Sequence, residues 1–314
     1  VLIGLRYLMA LAARSGVRSE IAPVMSLPLG SSDITLIDAA LMYQSMLTGQ
    51  TWRFYVDALA TTPGTEAIEP EPEPAGATRR DDISIVKEVR LADGTLIYTT
   101  AREGRPLHDL SVAAELGAML RSVVTHGTGR RAAAGAPLRS ARPDRDKELS
   151  RRGVVVPLMG KTGTTNSYKN SAFVGFVPGL ATQSSTAGGE RLAFGAGTVV
   201  AVYVGFDDNR EMRNGSVRLA GASGSLPAWL GAAEAVAAAG DLGDRVDLVD
   251  LDFSGGGSLE LDWPDETIAV AVDAATGLPI GPATDGSPDP GSDESVAWLR
   301  VRQGGPRFAP VTTP

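Results

Sequence analysis

Gly160-Lys161-Thr162-Gly163-Thr164-Thr165-Asn166, followed after four residues by Ser171-Ala172-Phe173-Val174-Gly175-Phe176-Val177-Pro178-Gly179, is the stretch on which the fold of this 314-residue chain turns. Gly-Lys-Thr closes the loop that cradles phosphates ahead of a helix in nucleotide-binding proteins. That loop needs a glycine five positions before Gly160, where this chain has Val155; Gly153 falls two residues too early and Pro157 interrupts. Gly163-Thr164-Thr165-Asn166 is also a poor helix start, so a P-loop NTPase is a remote alternative. A strand lining a cleft suits the residues better. Thr162 and Thr164 are two apart and project from one face of a strand. Lys161 offers an ammonium, Gly163 leaves room for a closely approaching molecule, and the Thr164 N–H can donate to an oxyanion.

Working outward, the downstream sequence is β. Ser171–Val177 alternates and halts at Pro178-Gly179, and a glycine-rich loop over 184–197 leads to Thr198–Phe206, an apolar run that reads as a buried strand. Asp207-Asp208-Asn209 ends it, and Pro227–Ala239 is an alanine-rich helix. Upstream, residues 2–15 read as a helix stopped at Gly16. Leu36, Ala40, Tyr43 and Leu47 recur at helical spacing up to Gly49. Residues 61–80, with Pro70-Glu71-Pro72-Glu73-Pro74, form a low-complexity loop. Ile83–Val89 and Thr95–Thr100 flank Asp93-Gly94, a hairpin signal. Asp109 or Ser111 caps a helix whose Val112, Leu116, Met119, Leu120 and Val123 share a face, ending before His126-Gly127-Thr128-Gly129.

The fold expected is therefore α/β in the α+β sense. An antiparallel sheet of strands at 154–164, 171–177 and 198–206 is packed by helices at 33–48, 110–124 and 227–239. Composition changes near residue 240, dividing a unit over 1–240 from an acidic extension over 241–314. The extension holds short β-like runs at Leu259–Trp263 and Thr267–Val272, as a small β-like unit or a partly ordered tail.

The formal net charge is −8, from 29 basic and 37 acidic residues, and 43% hydrophobic residues suffice for a core. Residues 241–314 carry fourteen acids against four arginines. The basic run over 130–152, broken by Gly135, Pro137, Pro143 and Gly153 and without aromatics, reads as an exposed loop rather than a nucleic-acid surface. No apolar run approaches the roughly 20 residues of a membrane-spanning helix. Zero cysteines exclude disulfides and thiolate metal sites, and two histidines, His108 and His126, exclude a multi-histidine metal site. Both histidines read as loop or capping residues, Asp207-Asp208 as a strand end, and Trp229 and Trp263 as packing residues. The chain opens directly on helix-like sequence at Val1, which we read as the C-terminal piece of a longer protein.

The ordered set of motifs resembles the transpeptidase domain of class A penicillin-binding proteins. Its Lys-Thr-Gly core is matched by Gly160–Asn166 with Ser171–Gly179. Val202-Tyr203-Val204-Gly205-Phe206-Asp207-Asp208-Asn209-Arg210 is similar to the family's next strand, and Gly224-Ser225-Leu226-Pro227-Ala228-Trp229 to the start of its final helix. Ser26-Leu27-Pro28-Leu29-Gly30-Ser31-Ser32-Asp33-Ile34-Thr35 resembles its Leu-Gly-x-x-x-Val-Thr segment, and Gly127-Thr128-Gly129 its Gly-Thr-Gly turn. Asp273–Gly277 and Gly304-Gly305-Pro306 resemble the segment after the domain more weakly. The match is collinear over about 1–235.

The resemblance implies a serine DD-transpeptidase (β-lactamase-like) fold, incomplete at the N-terminus, and cross-linking of peptidoglycan stem peptides through a serine acyl-enzyme that β-lactam antibiotics also form. It implies that Lys161 belongs to the active-site polar network, that Thr162 and Thr164 grip the substrate's terminal carboxylate, and that Gly163 keeps the strand clear. No metal or organic cofactor is implied, and the family works on the outer face of the bacterial cytoplasmic membrane behind an N-terminal anchor. The chain departs from the family in the nucleophile. Ser-x-Asn is absent, and the one Ser-x-x-Lys considered, Ser84-Ile85-Val86-Lys87, falls on a strand. Three residues along a strand point to opposite faces, whereas the motif needs a helix turn. The nucleophile is therefore expected upstream, beyond it a glycosyltransferase region, and the isolated chain is expected to be inactive. The competing reading is a truncated product or pseudoenzyme that only binds.

Overall fold

The computed structural model of the chain describes residues 2–58, 82–182, 190–239, 242–246, 267–273 and 296–302. In chain order, α1 (Leu2–Arg14) and α2 (Leu36–Thr48) precede β1 (Gln50–Ala58), β2 (Glu88–Arg90), β3 (Leu96–Pro106) and α3 (Leu110–Thr125). Then come β4 (Ala136–Pro137), α4 (Pro143–Arg152), β5 (Val155–Val156), β6 (Met159–Thr164), β7 (Asn170–Thr182) and β8 (Glu190–Gly205). A short hairpin of β9 (Arg213–Asn214) and β10 (Val217–Arg218) leads to α5 (Ser225–Ala239), α6 (Leu242–Arg245), β11 (Thr267–Asp273) and β12 (Val296–Arg302). The architecture is mixed helix and antiparallel sheet, as the sequence led us to expect.

The central sheet has the order β6-β7-β8, so among the described residues β6 is an edge strand. Its boundaries differ from the expected ones for local reasons. Pro157 cannot donate to a ladder, so Val155–Val156 leaves β6 and pairs instead with Ala136–Pro137. At the far end β7 does not stop at Pro178-Gly179. A bulge moves the register from Pro178↔Gly197 to Gly179↔Ala193, and pairing resumes to Thr182↔Glu190. Gly197, at φ 130°, supplies the backbone conformation that the bulge needs. Most of the expected glycine-rich loop is thus strand, and its residues 184–189 lie outside the described residues, as do 61–80 and Leu259–Trp263.

The core forms where α5 crosses the sheet. The Trp229 indole is fully buried, stacks obliquely on Phe173 with centroids 4.6 Å apart, and donates Nε1–H to the Val200 carbonyl at 2.8 Å. A Cβ on Gly175 would lie 2.5 Å from the Trp229 ring, so only glycine lets the indole this close. On α3 the buried residues are Ser111, Ala113, Ala114, Gly117, Ala118 and Val124, rather than the larger set expected, and Met119 is exposed. The Phe194 ring occupies the space a Gly117 side chain would take; close approach of β8 selects small residues that a hydropathy pattern underweights.

β1 was not anticipated. Thr51, Trp52, Phe54 and Tyr55 form it, pairing with β3 from Gln50↔Pro106 in a sheet of order β1-β3-β2. The Asp93-Gly94 turn is as expected, with Gly94 at φ 87° and the Asp93 carboxylate accepting the Thr95 N–H at 2.8 Å. The α2 cap is Thr35, whose hydroxyl accepts the Asp38 N–H at 3.1 Å, so the helix starts after Asp33; Gly49 closes it at φ 69°. α1 buries only Leu5 and exposes Leu2, Ile3 and Tyr7; Met25 and Leu29 are exposed as well. Among the described residues no helix is long and apolar enough to cross a membrane.

The basic run is not wholly a loop. Pro143 at the first helical turn, Asp144 and Asp146 near the N-terminus, Arg151 and Arg152 near the C-terminus, and Gly153 at φ 64° define α4. Arg151 and Arg152 hold Glu148 at 2.7 and 2.6 Å and pull its carboxyl down to about 2. Beyond residue 240, α6 rests on α4: Asp244 accepts from Ser140 and Arg142, Arg145 donates to the Gly243 and Val246 carbonyls, and Leu242 and Val246 enter the core. β11 pairs antiparallel with β12, which runs beside α3.

Two measurements check this account. Trp229→Ala should cost about 3–5 kcal/mol in urea unfolding, and an unchanged midpoint would contradict the central role of the indole. Glu148 stabilises α4 in its ionised form, so its contribution is complete above the ordinary carboxylate range and is lost as pH falls through its lowered value. By NMR its carboxyl should titrate near 2, and Glu148→Gln should reduce amide protection in α4 at neutral pH.

Candidate functional site

β6 is positioned by β7 on one edge through Lys161↔Val174, Thr162↔Phe173, Gly163↔Ala172 and Thr164↔Ser171. Cross-strand partners share a face, so Thr162 and Thr164 stand on the side of Phe173 and Ser171, which α5 covers lower down. The loop before α5 is fastened there by a buried hydroxyl pair. Ser171 Oγ donates to the Ala220 carbonyl at 2.9 Å and accepts the Ser225 N–H at 2.9 Å, with Ser225 Oγ 3.1 Å away. The loop then reaches β6, where the Gly221 N–H donates to Thr164 Oγ1 at 2.9 Å. A Cβ on Gly221 would lie 2.8 Å from both the Gly163 carbonyl and Thr162 Cβ, so the contact requires glycine.

A second loop reaches the same face. Thr128 Oγ1 is 2.6 Å from Thr162 Oγ1. The turn Gly127-Thr128-Gly129 backs onto the end of α3, and a Cβ on Gly127 would lie 2.8 Å from the Val123 carbonyl. The Thr128 and Thr162 hydroxyls therefore meet over β6, on the face that also carries Thr164. Sequence reasoning marked the Gly127-Thr128-Gly129 turn and Gly224-Ser225 but assigned no site role to Thr128 or Gly221. The glycines flanking Thr128 were the available signal.

Lys161 lies on an exposed part of β6, its Nζ donating to the Thr162 carbonyl at 2.9 Å. Gly163 is half-buried, and a Cβ there would meet only Ala172, at 3.4 Å or more. No described protein neighbour demands glycine at that position. Along the outer edge the Leu158 carbonyl accepts from Arg121 Nη1 at 3.0 Å and the Thr162 carbonyl from Lys161. Burial lowers the pKa of the Arg121 guanidinium from its ordinary value. In an antiparallel ladder the residues whose groups point outward alternate. Thr164 has the parity of Leu158 and Thr162, so its N–H points out of the edge as well.

The remaining candidates are dispersed. Gly160-Lys161-Thr162 is strand followed by a 3-10 turn at Asn166–Tyr168, which removes the phosphate-loop alternative. Ser84, expected on a strand over Ile83–Val89, instead lies ahead of β2 in an irregular segment with a bend at Ile85, its hydroxyl donating to the Val86 carbonyl at 2.9 Å. His126 caps the end of α3, and His108 precedes that helix with Nδ1 2.8 Å from the Asp109 carbonyl. Asp208 follows β8 and accepts the Arg210 N–H at 3.2 Å.

No model of a known protein family matches the chain, and no curated protein matches it. Among solved structures it is similar to penicillin-binding protein 1A from Haemophilus influenzae, at 19% identity and a TM-score of 0.46. The likeness covers 96% of this chain and 37% of that one, so the chain spans little more than a third of the solved protein's length.

The packing over β6 makes two substitutions informative. Gly221→Ala should push the loop from β6 at a cost of about 1–3 kcal/mol, while Thr128→Val should cost about 0.5–1.5 kcal/mol through the lost hydrogen bond. Both are read from urea unfolding; a neutral Gly221→Ala would contradict the close approach described.

Proposed function

We propose that this chain is the substrate-binding lobe of a peptidoglycan transpeptidase of the penicillin-binding type. The observation that carries the reading is an edge strand presenting Thr162 and Thr164 hydroxyls two residues apart on one face, with Thr128 bonded to Thr162 at 2.6 Å and the Lys161 ammonium on the Thr162 carbonyl at the strand's outer edge. Such a row of hydroxyl donors with an adjacent cation suits the terminal carboxylate of a D-Ala-D-Ala stem peptide. The collinear motifs over about 1–235 support the same assignment.

In this reading a serine hydroxyl attacks the carbonyl between the two D-alanines, its proton passing to a neighbouring base. The C–N bond breaks, D-alanine leaves with a proton on its nitrogen, and an acyl ester remains. An amine of a second stem peptide then displaces the serine and forms the cross-link. Lys161 stabilises negative charge beside the reacting carbonyl, and the outward N–H of Thr164 is one donor for the oxyanion. β-Lactams enter the same site and acylate the same serine. The serine comes from outside the 314 residues, in a protein that also carries a glycosyltransferase region and works on the outer face of the cytoplasmic membrane.

A binding-only role is the second reading. It is favoured by the absence of Ser-x-Asn from the sequence and by the irregular, non-helical setting of Ser84 and Lys87. A single experiment addresses both. The chain is titrated by NMR with diacetyl-Lys-D-Ala-D-Ala and with the L-Ala-L-Ala isomer, and separately incubated with a fluorescent penicillin. The D-peptide should shift the amides of 161–164 and the L-peptide should not, Thr164→Val should weaken the response several-fold, and no covalent label should form. Equal response to both isomers, or none, would overturn the assignment; covalent labelling would overturn the external nucleophile.

A further inference from the structure

The outer edge of β6 is blocked at one end and open at the other. At its start the Arg121 side chain occupies the Leu158 carbonyl. Past Thr164 the chain enters the turn Thr165-Asn166-Ser167-Tyr168, and no described strand pairs with this edge. An extended peptide whose carboxylate sits at Thr162 and Thr164 must therefore run toward that turn. At about 3.3 Å per residue, groups two or three residues from the carboxylate lie about 7–10 Å along.

The turn is built under strain. Ser167 and Tyr168 both have left-handed backbones, at φ 61° and 54°, a conformation that non-glycine residues rarely adopt. The strained geometry is held by the Met212 N–H, which donates to the Tyr168 carbonyl at 2.8 Å. It presents the half-buried Tyr168 ring to Arg218 of β10, whose guanidinium carbon lies 5.6 Å from the ring centroid. Arg218 differs from the other arginines of its hairpin region. Arg210 pairs with Asp208 and Arg213 with Glu211, whereas Arg218 has no carboxylate partner among the described residues and is exposed. Its main chain is nevertheless fixed close to the site. The next residue, Leu219, donates to the Met212 carbonyl at 3.0 Å, and three residues on Gly221 bonds Thr164.

We propose that Arg218, braced on Tyr168, is a specificity-determining residue that pairs with a side-chain carboxylate on the residue preceding D-Ala-D-Ala, so that this site prefers a diacid stem residue over its amide. The inference rests on the preceding assignment of β6. Left-handed backbones at two adjacent non-glycine residues of this rim are accounted for when the ring and guanidinium must be held against a ligand.

The test uses two peptides ending in D-Ala-D-Ala, one preceded by 2-aminopimelate with its distal carboxylate free and one by the corresponding carboxamide. Binding to the chain is measured by NMR titration. The acid should bind about five-fold more tightly at low salt, as a solvent-exposed charge pair allows, and the ratio should shrink at 1 M salt. Arg218→Gln should bring the ratio to one, Arg218→Lys should retain part of it, and Arg218→Glu should invert it. Thr164→Val should weaken both peptides alike and leave the ratio. An Arg218→Gln chain that keeps the wild-type ratio overturns this inference while leaving the assignment of β6 standing. Failure of both peptides to bind the wild-type chain overturns both.

Discussion

The Trp229 indole sits where Gly175 has no side chain, against Phe173 and with its N–H on the Val200 carbonyl. The geometry of the site follows from that contact. It fixes where α5 crosses β7 and β8, and hence where Ser225, at the start of α5, meets Ser171. The paired hydroxyls hold the preceding loop on the sheet, which brings the Gly221 amide onto Thr164. A core contact is thus transmitted through one short loop to the hydroxyl at the end of β6. Phe173, the partner of Thr162, links the same core to the second hydroxyl directly.

The site is built at an edge because function and pairing compete for the same backbone groups. A strand paired on both sides has no N–H left for a ligand. Among the described residues β6 has one edge unpaired, and the hazard of an exposed edge is limited by its six residues, by Arg121 on the Leu158 carbonyl just before it and by Lys161 on the Thr162 carbonyl. Gly163 fits this arrangement: nothing described in the protein needs it to lack a side chain, and a molecule lying along the edge would.

What could be read from the sequence was mostly local. The Asp93-Gly94 turn, the Gly49 stop and the edges of α3 depend on residues a few positions apart, and each lies where the sequence put it. Features set by distant partners were not legible. The burial of Gly117 on α3 reflects the Phe194 ring, some 80 residues away in sequence. β1 depends on β3, and the continuation of β7 past Pro178-Gly179 depends on Gly197. α4 was hidden for another reason: its net hydrophilic composition carries no apolar periodicity beyond Leu149, and its caps and its Glu148 ion pairs define it instead. In the site, β6 and the shared face of Thr162 and Thr164 were legible from strand periodicity. The loops that supply Thr128 and Gly221 were not, because spacing along a chain says nothing about which loops converge.

The central claim is that Thr162 and Thr164 hold a carboxylate at the outer edge of β6. A crystal structure of the chain with a D-Ala-D-Ala-terminated peptide tests it most directly. The account predicts carboxylate oxygens within hydrogen-bonding distance of both threonine hydroxyls, with the peptide leaving toward Tyr168. A peptide bound elsewhere, or one running back toward Arg121, would contradict it.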